Sequence, residues 1–209
     1  LRANGVSSLN FDLMYGLPGQ TLEMLEQTLH RTIELGADRI ALFGYAHVPH
    51  LIPRQRRIDG TNLPGQAERF AMAEFGYRLL TAAGYVPVGF DHFAKPGDPM
   101  AKAVEQGTLR RNFQGFTDDQ AQTLLGLGAS AIGCFPDLLV QNEKNAGRYR
   151  MLLSQDRLPA AHGIRRSADD QRRGAVIEAL LCHGKASLDA ELAAEAAARL
   201  APFTQRGLA

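Results

Sequence analysis

The chain has 209 residues, 45% of them hydrophobic, enough for one large domain or for one domain and part of another. Its 23 lysines and arginines nearly balance 22 aspartates and glutamates, and a formal charge of +1 disfavours a nucleic-acid partner held by phosphate neutralisation. Two widely spaced cysteines, Cys134 and Cys182, form no CxxC pair, zinc signature or disulfide framework, and no apolar run is long enough to cross a bilayer, so we expect a cytoplasmic setting with no membrane span.

The chain starts Leu1-Arg2-Ala3-Asn4-Gly5, without methionine or signal-peptide pattern and almost inside a strand, and we therefore expect a piece of something longer. Ser8 to Tyr15 alternates and then turns apolar, the pattern of a mostly buried strand. After the turn Gly16-Leu17-Pro18-Gly19-Gln20, Thr21 caps a helix with Glu23 in its first turn. Leu22, Leu25, Leu29 and Ile33 repeat at helical spacing until Gly36 stops it. Arg39 to Tyr45 reads as a second strand. Strand, helix and strand joined by short turns make a βαβ unit with parallel strands, and ligands bind at the carboxyl ends of such strands. That places Asp12 to Gly19 and Gly44 to Pro49 on one rim.

Residues 47–64 form a polar, proline-containing connection with Arg54, Arg56 and Arg57, either a functional loop or a solvated basic one. The pattern predicts a helix over Gln66 to Ala83 with Phe70, Ala73, Tyr77 and Leu80 inward, stopped by Gly84. Tyr85 to Phe93 reads as a strand that Pro87 confines to an edge or a strand end. Asp98-Pro99 starts a short helix that ends at Gly107.

Leu109-Arg110-Arg111-Asn112-Phe113-Gln114-Gly115-Phe116-Thr117 is too polar for a core strand and too aromatic for an idle loop. Guanidinium forks, flat apolar rings and side-chain amides together suit a large, flat, acidic ligand; a solvated turn over two tucked aromatics is the other reading. Asp118 to Leu125 looks helical. Gly126 to Gly133 is glycine-spaced, which admits either a ligand near the backbone or two closely packed elements. A helix is predicted over Asn142 to Gln155, and from Ser167 the pattern is helical throughout. There Ser167 and Asp170 form a capping box, Val176, Leu180 and Leu181 face inward, and Gly184 ends the helix. A last alanine-rich helix covers about 188–200, and the chain closes on Arg206-Gly207-Leu208-Ala209 as if cut inside a small helical domain.

Three groups of residues have the chemistry for a site. Asp12 can accept from ribose hydroxyls or an ammonium, or bond local backbone instead. In Tyr45-Ala46-His47-Val48-Pro49, Ala46 leaves room for a ligand and its backbone groups stay available. Phe90-Asp91-His92-Phe93 pairs an acid with a histidine, as an oriented proton donor or a structural hydrogen bond. GxSxG, HExxH and the P-loop are absent, so hydrolase and nucleotide-phosphate readings have no anchor.

Four segments, Asp12-Leu13-Met14-Tyr15-Gly16-Leu17-Pro18-Gly19-Gln20-Thr21, Tyr45-Ala46-His47-Val48-Pro49, Asp91-His92-Phe93-Ala94 and Arg111-Asn112-Phe113-Gln114-Gly115-Phe116-Thr117, resemble the oxygen-independent coproporphyrinogen III oxidases, which are radical S-adenosylmethionine enzymes. The resemblance implies an α/β fold: the C-terminal part of a partial (β/α) barrel of the radical-SAM type over 1–160, then the start of a small helical domain over 161–209. It also implies two molecules of S-adenosylmethionine and a [4Fe-4S] cluster held by a CxxxCxxC motif. The radical so generated takes a hydrogen from a propionate. Loss of carbon dioxide and an electron leaves a vinyl group, and two such events turn coproporphyrinogen III into protoporphyrinogen IX in heme biosynthesis.

Position by position, Asp12, Ala46 and Ile132 match residues contacting S-adenosylmethionine, and Phe113 and Gln114 match the motif beside the second cofactor molecule. To these we add Arg111, with Arg110 in reserve, as cations for a substrate propionate. An unidentified electron donor and acceptor would serve a monomer, and no residue is assigned as catalytic. The chain departs from the family in three places. It has no CxxxCxxC, so alone it is expected to be inert; Arg110 stands where a histidine is expected, and Phe116 where tyrosine is usual. A heme-binding or heme-delivering chaperone sharing the barrel is the alternative reading.

Overall fold

In the computed structural model, which describes residues 1–207, the chain divides into two units, Leu1–Asp118 and Asp119–Ala209. The last two residues of the helical domain expected over 161–209, Leu208 and Ala209, lie outside the described residues.

In the first unit, strand β1 (Asn10–Tyr15) alternates exposed and half-buried positions. Gln20 braces the turn that follows, its Nε2 donating to Met14 O at 3.2 Å while its Oε1 accepts from Leu17 N at 3.2 Å. Thr21 Oγ1 accepts from Met24 N and starts helix α1 (Leu22–Glu34), as expected, and Gly36 ends it at φ +74°. Strand β2 (Arg39–Gly44) lies parallel to β1 with Asp12 opposite Ala41, completing the βαβ unit.

Helix α2 (Gln66–Ala82) buries a different face from the one its periodicity suggests. Phe70 is 72% exposed and Tyr77 is exposed as well, while Met72, Gly76 and Leu80 are buried and Phe75 and Leu79 pack on the core. Gly76 decides the rotation: a Cβ there would come within 2.4 Å of Leu42 Cδ2, so the helix approaches β2 along its smallest residue. The core formed this way gathers Leu25, Leu29, Ile40, Leu42, Leu80 and Phe93 between the helices and one face of the sheet.

The single strand expected over Tyr85–Phe93 is a hairpin of β3 (Val86–Val88) and β4 (His92–Ala94), because Gly89 turns the chain at φ +65°. The sheet order is β1-β2-β4-β3, with β4 antiparallel to β2. Pro87 thus sits on the edge strand, where its missing N–H costs no ladder bond. Helix α3 (Pro99–Glu105) is capped by Asp98, whose Oδ1 accepts from Met100 N and whose Oδ2 accepts from Arg39 Nε at 2.7 Å. The polar aromatic stretch then forms a second hairpin, β5 (Arg110–Asn112) and β6 (Gly115–Thr117).

The second unit departs further from expectation. No helix forms over 118–125, because Leu124 exchanges both backbone hydrogen bonds with Cys134 in an isolated bridge. Strands β7 (Ile132–Cys134), β8 (Leu138–Asn142) and β9 (Ala160–Arg165) form an antiparallel sheet that the pattern did not reveal. Helix α4 (Ala146–Ser154) starts at the cap Asn145, later than predicted, since Asn142 still belongs to β8. Helix α5 (Ala168–His183) has the expected Ser167–Asp170 capping box and ends at Gly184, but Leu180 is 50% exposed and Cys182 takes the buried position. Helix α6 (Ala190–Thr204) begins at the cap Asp189 and outruns the predicted helix at its far end.

Candidate functional site

Residues paired across strands share a sheet face, so the registers Asp12↔Ala41 and Ala41↔His92 put Asp12, Ala41 and His92 in one row. This row lies on the face opposite Leu13, Ile40, Leu42 and Phe93, which carry the core. On this face Asn10, Asp12, Met14 and Phe43 are exposed while Ala41, Val88 and Ala94 are buried, so it is open on the β1 side and covered toward β4 and β3. Two strand spacings, about 10 Å, separate the Asp12 and His92 backbones, and Ala41 between them is buried.

Asp12 is the third residue of β1, a mid-strand position rather than the strand tip. Its Oδ1 accepts from Asn10 Nδ2 at 2.7 Å, and Oδ2 accepts from no group among the described residues. Across the row, His92 Nδ1 lies 2.6 Å from Asp91 Oδ1. The His92 ring meets Phe43 and Phe116 edge to face, with centroids 5.5 and 5.4 Å away. Phe116 in turn has Phe90 at 5.7 Å, and the Arg111 guanidinium lies 5.3 Å from its ring centre.

The hairpin β5–β6 therefore docks on the open face through Phe116. Gly89 makes the seat: a Cβ there would fall 2.0 Å from Phe116 Cζ. Phe113 and Gln114 form the tip of this hairpin, with Phe113 42% exposed, and Asn112 Oδ1 holds the turn by accepting from Gln114 N and Gly115 N. Arg111 pairs across the hairpin with Phe116, and Arg110 with Thr117.

Ala46 lies just beyond the end of β2. Gln55 fastens this stretch with both ends of its amide, Nε2 donating to Ala46 O at 2.9 Å and Oε1 accepting from Val48 N at 2.6 Å. The Ala46 N–H donates to no group among the described residues. His47 Nδ1 lies 3.1 Å from Tyr45 Oη. Ile132 opens β7 and so belongs to the sheet of the second unit. There Gly126 packs backbone on backbone, since a Cβ would lie 2.7 Å from the Ile132 carbonyl carbon, which is the packing alternative for the glycine series.

Sequence reasoning missed Phe43, Gln55 and Arg69. Alternation along β2 could have put Phe43 on the same face as Ala41, where it stands opposite Met14. Arg69 reaches over the strand ends, within 3.3 Å of where Cβ atoms on Gly16 and Gly44 would stand, and no local pattern announces that.

The fold supports a class first. A solved structure described as coproporphyrinogen III oxidase from Escherichia coli, a radical SAM enzyme, is similar to this chain with a TM-score of 0.87 at 38% identity, over 99% of this chain and 50% of that one. An oxygen-independent coproporphyrinogen III oxidase of Cereibacter sphaeroides is 43% identical over 216 residues, covering 97% of this chain and 48% of the relative. The protein of that name from Bradyrhizobium diazoefficiens is 43% identical over 217 residues, covering 100% and 48%. No family model matches the chain. The chain spans about half the length of the relatives it matches. Over that half it is a homologue of the oxygen-independent coproporphyrinogen III oxidases.

Proposed function

We propose that this chain supplies part of an oxygen-independent coproporphyrinogen III oxidase, in which two propionates of coproporphyrinogen III lose carbon dioxide and become the vinyls of protoporphyrinogen IX. The observation that carries the reading is 43% identity over 216 residues, covering 97% of the chain. In this reading residues 1–160 belong to a partial (β/α) barrel and its extension, 161–209 begin a helical domain, and the enzyme is cytoplasmic. Among the described residues no helix is long and apolar enough to cross a membrane.

S-adenosylmethionine fits the residues at hand. Asp12 Oδ2 and the Ala46 N–H are an acceptor and a donor left over after the chain's own bonding, suited to ribose hydroxyls or an ammonium and to an adenine edge. In this reading Phe113 and Gln114 are assigned to the second cofactor molecule, and Ile132, in the second unit, is assigned a cofactor contact by the resemblance alone. Bound S-adenosylmethionine supplies, on reductive cleavage, the radical that takes a hydrogen atom from the propionate. A [4Fe-4S] cluster does not fit this chain, because two cysteines cannot provide three thiolates; its ligands would lie elsewhere in the intact protein. Arg111 neutralises a substrate propionate, with Arg110 next to it on the hairpin. The electron donor and final acceptor are further partners of this reading.

The test is turnover by the intact protein under anaerobic conditions with S-adenosylmethionine and a reductant. Protoporphyrinogen, read as porphyrin fluorescence after oxidation, is the expected product. Tight heme binding with no decarboxylation would replace this reading with a heme-carrying one.

A further inference from the structure

The Asp91–His92 pair stands on the open face without a role in the assignments above. An ionised carboxylate only accepts, so at 2.6 Å the Nδ1 of His92 donates to Asp91 Oδ1, and in the neutral ring this fixes Nε2 as a bare acceptor. No described residue donates to that nitrogen. The imidazole is held on its flanks by Phe43 and Phe116, so little freedom remains at its distal end. In the same row, across the small Ala41, Asp12 Oδ2 is a second acceptor without a donor among the described residues. An acceptor on a ring held this way, with no donor among the described residues, calls for a ligand that brings an N–H group to it.

We propose that His92 is a ligand-binding residue whose Nε2 accepts a hydrogen bond from an N–H group of the bound molecule. The inference rests on the proposed function, which offers two sources of that chemistry: the pyrrole N–H groups of the reduced tetrapyrrole and the ammonium of S-adenosylmethionine. Asp91 acts through His92, as the group that fixes the tautomer. The charged groups around His92 are Asp91 beside it, Asp12 across the row, Arg111 behind Phe116, and the Arg39–Asp98 pair further along the same face.

Two variants of the intact protein separate this role from a structural one. His92→Asn keeps a donor for Asp91 but gives up the ring contacts; His92→Phe keeps the ring contacts but gives up the bond to Asp91. Both lose Nε2. Dissociation constants are measured for S-adenosylmethionine alone and for coproporphyrinogen III alone. Both variants are expected to bind the same one of these ligands about three- to tenfold more weakly. The affected ligand identifies the source. Unchanged affinity in either variant overturns the proposal. An intact protein that binds these ligands without turnover would instead fail the proposed function and leave the His92 comparison readable.

Discussion

The two units hold themselves together by different means. In the first, Leu25, Leu29, Ile40 and Leu80 have no exposed surface and form one continuous cluster against the sheet. In the second, Cys182 and Leu192 are the buried hydrophobic side chains among the described residues, and all six residues of β9 are exposed. Charge does more there. Arg172 bridges Asp189 and Glu191, each at 2.9 Å, and Arg173 bridges Asp169 and Glu195, each at 2.8 Å, fastening α5 to the start of α6. A dry core resists truncation poorly and salt well, whereas a surface ion network does the reverse. Dry packing also fixes side chains to a fraction of an ångström, and the residues proposed to recognise ligand stand mainly on the unit that has it.

The largest effect tests that contrast directly. Ile40→Ala removes a side chain with no exposed surface, and should cost the first unit about 2–5 kcal/mol. Leu192→Ala empties a site that is already 7% exposed, and its cost should fall at or below the bottom of that range. Hydrogen exchange under denaturant reads the loss in each unit separately. Equal losses would mean that the second unit has a core of the same quality, and the contrast would fail.

The same difference explains what the sequence could and could not convey. Thr21, Gly36, Asp98, Ser167 and Gly184 were legible as helix ends because capping is local chemistry, a side chain or a positive φ within a few residues of its partner. The βαβ unit followed from those ends and from apolar spacing. The inward face of α2 was not legible, since Gly76 against Leu42 outweighs the larger Phe70 and Tyr77 only once the strand is in place. The antiparallel sheet of the second unit escaped for a related reason: in β8 and β9 exposure does not alternate, so there is no period to read. At the site, Asp12, Arg111 and His92 could be singled out by residue type. Their shared face depends on strand register, which joins residues 12, 41 and 92 and has no local signature.

Acid should trouble both units, for different reasons. Asp38 in the first unit is held below the ordinary aspartate range mainly by the backbone N–H of Leu9, and secondarily by Arg2. With its folded value depressed, the unfolded chain binds the proton more readily. The stabilisation is therefore fully present above about pH 4 and is lost as pH falls through the folded value. Asp38→Asn should remove that part of the acid sensitivity and cost about 1 kcal/mol at neutral pH, since Leu9 keeps an acceptor but Arg2 and Lys95 lose a charge. A pH series of denaturation midpoints reads both. A variant whose midpoint declines in acid as steeply as the parent would show that Asp38 carries no such linkage.

Salt produces the smallest shift and separates the units most cleanly. Asp169 and Glu195 are depressed chiefly by hydrogen bonds from Arg173, so what stabilises them is charge on exposed side chains. Asp38 owes its depression first to a backbone N–H, a short-range bond that mobile ions scarcely weaken. Raising ionic strength from about 0.1 M to 1 M shortens the screening length from roughly 10 Å to 3 Å. Amides at the start of α6 should then exchange about two- to fivefold faster, while those of β1 and β2 hardly change. Arg172→Met, which keeps an aliphatic stem but removes the fork, should give most of that acceleration at low salt and little more at high salt. If salt and Arg172→Met instead added fully, the network would not be what salt acts on. The fastening between α5 and α6 would then have to lie in the cleft of about 270 Å³ lined by Ala179, Ala186 and Leu192.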